Sequence, residues 1–222
     1  MKIAILGTGI VGQSLGTKLA AAGNEVRMGS RTPDNPKAAA WAAAAGPSAS
    51  HGTFADAAGV AEIVFNCTAG TASLDALAQA GEENLVGKVL VDVANPLDFS
   101  RGMPPSLSVC NTDSLAEQIQ RAHPKARVVK ALNTMNCSVM VAPEEVPGEH
   151  DLFYCGDDAD AKREVADLIV GSLGWPRKSL VDLGDLTAAR GMEMILPIWL
   201  RLWGAFGTPA INFHVAVGEG KR

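Results

Sequence analysis

Residues 2–12 read KIAILGTGIVG, an apolar run that meets three glycines spaced G-x-G-x-x-G before an alanine- and leucine-rich stretch. The run is too short for the core of a secretory leader and reads as a buried first strand. Gly7 permits a tight turn, Gly9 lets a pyrophosphate approach the backbone, and Gly12 lets the next helix pack closely on the strand. Ile10 and Val11 open that helix, whose unpaired N–H groups and positive dipole end suit an anion. A dinucleotide-binding βαβ unit is the expectation.

Strand-like and helix-like runs alternate from there. Strands are expected at 25–28, near 49–53, and at 62–67, 88–96 and 126–132, the fifth stopped by Pro96. Helices are expected through Ala22, over 36–46 between Pro36 and Gly46, around 72–80, and over 112–123 with Thr112 or Asp113 as cap. Nearly continuous apolar strands separated by helices call for a parallel sheet covered on both faces. The fold class is therefore α/β, a Rossmann-type doubly wound parallel sheet over residues 1–145. Residues 146–222 add a strand at 150–157, a charged helix at 158–172, a strand at 178–184 and a long apolar helix from 186 to 204. They read as a small C-terminal α/β extension, too short for an all-helical substrate domain.

Composition narrows the partners. The net charge is −5 and the pI about 5.4, which excludes a basic face for nucleic acid or an anionic membrane. The apolar stretch 192–213 is interrupted by Glu193, Pro197 and Arg201, so it reads as a buried helix rather than a span. Four scattered cysteines form no CxxC pair and four histidines no ligand pair, which argues for reduced thiols, a cytoplasmic protein and no metal site.

The end of the second strand selects the dinucleotide. NAD-binding chains place an acid there for the ribose hydroxyls, but Met28–Arg31 contains none. Gly29 removes the side chain, Ser30 offers a hydroxyl, and Arg31 offers a fork for a 2′-phosphate, with Lys37 as a second cation. The expected cofactor is NADP.

Several stretches then carry a family resemblance: GTGIVGQSLGTKLAAAGNEVRMGSR, VLVDVANPL, VVKALNT, FYCGDD and DLGDLTAARGMEMILPIWLRLW. Together they resemble the NADP-dependent oxidoreductases that use coenzyme F420, a family that is also similar to the cytosolic domain of transmembrane ferric reductases. The resemblance implies a Rossmann domain whose small C-terminal part forms an acceptor cleft and a homodimer contact. It implies hydride exchange between NADPH and the deazaflavin, with small-molecule partners only. Thr8, Ser30 and Arg31, with Lys37, would hold the adenosine phosphate. Asn66, Cys67, Thr68 and Ala69, with Ala94, Asn95 and Pro96, would border the nicotinamide. Asn133–Met135, Met194–Pro197 and Trp203–Gly207 would shape the deazaflavin side. Family members often begin G-G-T-G and carry a histidine where this chain has Asn133.

Hydride transfer between stacked rings needs no nucleophile or metal, so the scarcity of acid–base groups fits an oxidoreductase. Lys130, near the end of the sixth strand, reads as an ion-paired lysine or as a general acid. Cys67 reads as a small buried residue. Trp199 and Trp203 form a core or interface stripe, and Arg190 and Glu193 are spaced to pair with each other. Reduction of a flavin or of a small carbonyl or imine compound, and NADPH sensing without turnover, stay open beside the deazaflavin reading.

Overall fold

The structure, a computed structural model, describes residues 1–218. The chain runs β1 (Lys2–Leu6), α1 (Ile10–Ala21), β2 (Glu25–Ser30), α2 (Pro36–Ala45), β3 (Ala49–Thr53), α3 (Phe54–Val60), β4 (Ile63–Asn66), α4 (Ser73–Ala80) and β5 (Val89–Asp92). A short antiparallel pair, β6 (Leu97–Asp98) and β7 (Ser106–Leu107), precedes α5 (Leu115–Ala122) and β8 (Arg127–Ala131). Then come α6 (Cys137–Val141), β9 (Leu152–Gly156), α7 (Ala159–Leu168), β10 (Leu180–Asp182), α8 (Ala189–Met194) and α9 (Leu196–Phe206).

The described residues form one eight-stranded sheet in the order β10-β9-β8-β5-β4-β1-β2-β3. Pairing is parallel except between β8 and β9. The expected parallel sheet is there, and the C-terminal strands β9 and β10 extend its edge with one change of direction. The interior strands are apolar over most of their length because both faces are covered. Ile3 and Ile5 pack with Leu15, Leu19 and Trp41 on one side, while Ala4 and Leu6 pack with Leu77 and Leu90 on the other. From β1 the chain winds outward through β2 and β3, then returns past β1 to continue through β4, β5 and β8. The carboxyl ends of β1 and β4 thus flank the topological switch point, where open α/β sheets bind ligands.

Local chemistry sets the element ends, in places differently from expectation. Asn35 caps α2, Pro36 takes its first turn and Gly46 (φ +93°) ends it. The cap of α5 is Ser114, not Thr112 or Asp113: its hydroxyl accepts from the Glu117 N–H at 3.1 Å, while Asp113 is drawn aside by Arg121. The expected long helix 186–204 is split between α8 and α9, because Pro197 has no N–H to continue the ladder and sits instead in the first turn of α9. The α-helical part of 158–172 ends at Leu168 and continues as one π turn over Ile169–Leu173. Helix α3, missed in the sequence, is started by a reciprocal capping box between Thr53 and Asp56. Replacing Ser114 by alanine is expected to cost about 1 kcal/mol, seen as a lower urea midpoint at unchanged slope.

Candidate functional site

The three glycines divide their work. Gly7 turns the chain at φ +120°. A Cβ on Gly7 would stand 2.6 Å from the Cys67 carbonyl oxygen, and one on Gly12 would stand 2.3 Å from the Gly7 carbonyl oxygen and 3.1 Å from Ile5 Cγ2. Both are positions where only glycine lets loop, helix and strand touch. Around Gly9, by contrast, a Cβ would find nothing within 4 Å. Gly9 is also the N-cap of α1, with no side-chain hydrogen bond. The first-turn N–H groups of Ile10, Val11 and Gly12 therefore lack the capping oxygen that α2 and α5 possess, and Gly9 before them opens onto free space, as anion binding requires.

A cavity of about 370 Å³ occupies that space. Gly7, Thr8 and Gly9 line it from the β1 turn, Ser30, Arg31 and Asn35 from the end of β2, and Cys67, Thr68 and Ala69 from the end of β4. Arg31 is exposed and holds no carboxylate among the described residues, Asp34 included. Its fork is free for a ligand. Ser30 is buried and donates its hydroxyl to the Thr32 carbonyl at 2.5 Å, which fixes the bend that presents Arg31. Gly29 does a different job from the one expected of it. A Cβ there would meet Leu6 Cδ2 at 3.0 Å and Ala57 Cβ at 3.1 Å, so Gly29 admits α3 against the sheet, and Ser30 is the residue standing where an acid would reach a ribose.

Lys37 does not join this cluster. It lines, with the exposed Ile10, a wider groove of about 780 Å³ that runs between α1 and α2. Asn35, Asp75 and Gln79 line the cavity and were not anticipated. Asn35 also caps α2, and Asp75 and Gln79 carry no signal beyond their spacing on one face of α4.

The other expected loops form a row beside the cavity. A Cβ on Gly70 would lie 2.1 Å from the Asn95 carbonyl oxygen, so the β4 and β5 loops are in backbone contact. Asn95 donates to the Asn133 carbonyl and receives the Asn133 amide, both at 2.8 Å. The Asn133 amide also donates to the Met192 carbonyl at 3.0 Å, bringing α8 into the row. Ala94, Pro96, Asn133 and Met135 are buried in this arrangement, and Asn95 is half-buried. None of these five lines the 370 Å³ cavity.

A family model described as "NADP oxidoreductase coenzyme F420-dependent" matches residues 2–96. A solved structure from Arthrobacter sp. FB24, provisionally named an F420-dependent NADP-reductase, is 53% identical, with a TM-score of 0.93 over 98% of this chain and 100% of that one. The F420-dependent NADP reductase of Methanocaldococcus jannaschii is 31% identical over 91% of this chain and 92% of its own. The chain belongs to the coenzyme F420-dependent NADP oxidoreductase family. It is also 32% identical, over 89% of its length, to the metalloreductase STEAP3 of Rattus norvegicus, of which it spans 38%. Membership makes it an NADP-dependent oxidoreductase, and the free Arg31 fork at an acid-less strand end is the feature that fits the cofactor. Among the described residues no helix is long and apolar enough to cross a membrane.

Under the loops that follow β4, β5 and β8 lies a buried polar network. Lys130, with no solvent exposure, donates to Asp92 Oδ2 at 2.7 Å, the Ala94 carbonyl at 2.5 Å and Glu193 Oε1 at 2.8 Å. Burial alone would pull the Lys130 ammonium down, but Asp92 and Glu193 more than offset it and hold it above the ordinary lysine value. The lysine is ion-paired, not positioned to donate a proton into the cavity. Arg190 and Glu193 do not pair with each other. Arg190 makes a two-bond fork to Glu117 at 2.6 and 2.9 Å, and Glu193 turns inward to Lys130. On a short helix with a buried face, each side chain follows the partner its own face meets.

Cys67 is buried, and burial first, then Asp92, pushes its thiol far above the ordinary range. Burial likewise pushes Cys155 up to about 12. Alkylation of the native protein is expected to label Cys110, the exposed thiol, and to spare Cys67, Cys137 and Cys155, as mass spectrometry of peptides can read.

Proposed function

We propose that this chain exchanges a hydride between NADPH and the deazaflavin coenzyme F420. The observation that carries the NADPH half is the cavity at the switch point, with a free arginine fork where NAD-binding chains keep an acid, and the likeness to F420-dependent NADP reductases supports the acceptor half. In this reading the uncapped N-terminus of α1 receives the pyrophosphate, and Thr8 and Arg31 receive the 2′-phosphate on the bend that Ser30 holds. Bound NADPH supplies the hydride. The chain's own part is to orient and to keep water out: Cys67–Ala69 and Ala94–Pro96 wall the nicotinamide side, and Asn133–Met135 wall the acceptor side with the C-terminal helices. No side chain is asked to move a proton, which suits a row built from amides, backbone and apolar groups. The exposed Met194, Ile198, Trp203 and Phe206 form the face that would border the acceptor cleft and a second copy of the chain.

Anaerobic mixing with NADPH and oxidised F420 is expected to bleach the visible band of the deazaflavin at a rate that saturates with NADPH. Absence of bleaching, with NADPH bound, would remove F420 as acceptor. Reduction of a flavin in the same cuvette would then favour the flavin alternative.

A further inference from the structure

Three polar residues sit side by side in the middle of the sheet. Asn66 is in register with Asp92, and Asp92 with Lys130, at the carboxyl ends of β4, β5 and β8. All three have no solvent exposure. Such positions in a sheet covered on both faces are ordinarily apolar, and burying charge there is costly unless every atom is paired. Here the pairing is complete. Asp92 Oδ1 accepts from the Asn66 amide at 2.8 Å and from the Ala94 N–H at 3.2 Å, and Oδ2 accepts from Lys130. The three Lys130 donors are used by Asp92, the Ala94 carbonyl and Glu193.

The row has two ends. At one, Thr68 donates its hydroxyl to Asn66 Oδ1 at 2.7 Å while lining the NADP cavity. At the other, Glu193 of α8 accepts from the N–H groups of Leu115 (2.9 Å) and Ala116 (3.2 Å), the open first turn of α5. One lysine faces two carboxylates, and those N–H groups, with the helix dipole behind them, stabilise the surplus negative charge. Ala94 is held from both sides, its N–H by Asp92 and its carbonyl by Lys130. A buried ionic row is poor value as a source of stability compared with apolar packing, and its best-attested use is to fix one arrangement over others.

We propose that Lys130 and Glu193 are positioning residues: they lock the Ala94–Pro96 loop and the helix pair α8–α9 into one arrangement, so that filling the NADP cavity also orders the C-terminal helices. The role in hydride transfer rests on the reading above, but the coupling between cavity and helices does not depend on which acceptor is used. Coupling of this kind acts in both directions, so an acceptor seated against α8–α9 would tighten NADPH in return.

Amide hydrogen exchange on the unaltered protein, with and without NADP⁺, tests the coupling directly. NADP⁺ is expected to slow exchange in the cavity loops and also, by about fivefold or more, over 189–206, which lies outside the cavity. Exchange over 189–206 that ignores NADP⁺ would overturn the proposal without any variant being made. In Glu193→Gln, which keeps an amide oxygen toward Lys130 and removes one buried charge, the slowing should persist in the cavity loops and vanish over 189–206. The same variant should keep its NADPH KM within about twofold while kcat falls by up to about 10²-fold, the scale of a 1 Å misplacement. A purely structural role would lower melting temperature and leave kcat and the NADP⁺ exchange pattern as in the parent, and that result would also overturn it. Failure of the F420 reading alone would appear as no bleaching in the parent, with the exchange pattern intact.

Discussion

Lys130→Met is expected to lose about 3–5 kcal/mol of folding free energy, the usual consequence of removing one partner from a buried ionic set. Methionine fills the space of the lysine stem but leaves Asp92 and Glu193 facing each other, and it frees the Ala94 carbonyl that Lys130 had satisfied. The loss should depend on pH. Burial already holds the Glu193 carboxyl above its ordinary value of 4.5, with Lys130 working against that rise. Without the lysine it climbs further. A carboxyl raised in the folded state adds stability below its unfolded pKa, and that stability is lost as pH rises through the folded pKa. Urea unfolding should therefore find the variant nearer its parent at about pH 5 than at about pH 8. A loss under about 1 kcal/mol, equal at both values, would mean that the pair is worth no more than a surface one.

Arg31→Ala is expected to raise the KM for NADPH by about 10- to 150-fold, the equivalent of a charge-assisted hydrogen bond of about 1.5–3 kcal/mol. The KM for NADH should stay nearly unchanged, because NADH brings no 2′-phosphate for the guanidinium to hold. Two facts keep the effect local. Arg31 is exposed and supports no other side chain among the described residues, so its removal should leave the melting temperature in place. The bend that presents it is fixed by Ser30 and the Thr32 carbonyl, not by Arg31 itself. Equal changes for both dinucleotides would show that the arginine acts on the pyrophosphate or on the fold.

Much of this was legible in the sequence because glycine spacing and continuous apolar strands have few structural solutions. The run from Lys2 to Gly12 specified strand, turn and helix: Gly7 and Gly12 meet the backbone their roles require, and Gly9 opens onto free space. Ser30 and Arg31 were legible because the absence of an acid at a strand end is as informative as its presence. What the sequence concealed depends on which face a residue takes. Gly29 looked like space for a phosphate, yet it makes room for α3, which had no strong periodic signature of its own. Lys37 is close to Arg31 along the chain, but the first turn of α2 carries it toward α1. Arg190 and Glu193 have the spacing of a surface pair, and only the packing of α8 against α5 and β8 sends them to different partners. Long-range pairing of buried polar groups leaves no local pattern, so the row from Thr68 to Glu193 was visible only as an isolated lysine in an apolar strand.

If the cavity is shaped for the 2′-phosphate of NADP, the ratio of dissociation constants for NADPH and NADH in the unaltered protein shows it most directly. Nicotinamide fluorescence titrated without any acceptor gives both constants and keeps the answer separate from the identity of the electron partner. NADPH is expected to bind about 10- to 150-fold more tightly, with a preference that shrinks as salt screens the exposed Arg31. Equal affinities, or a preference for NADH, would contradict the account.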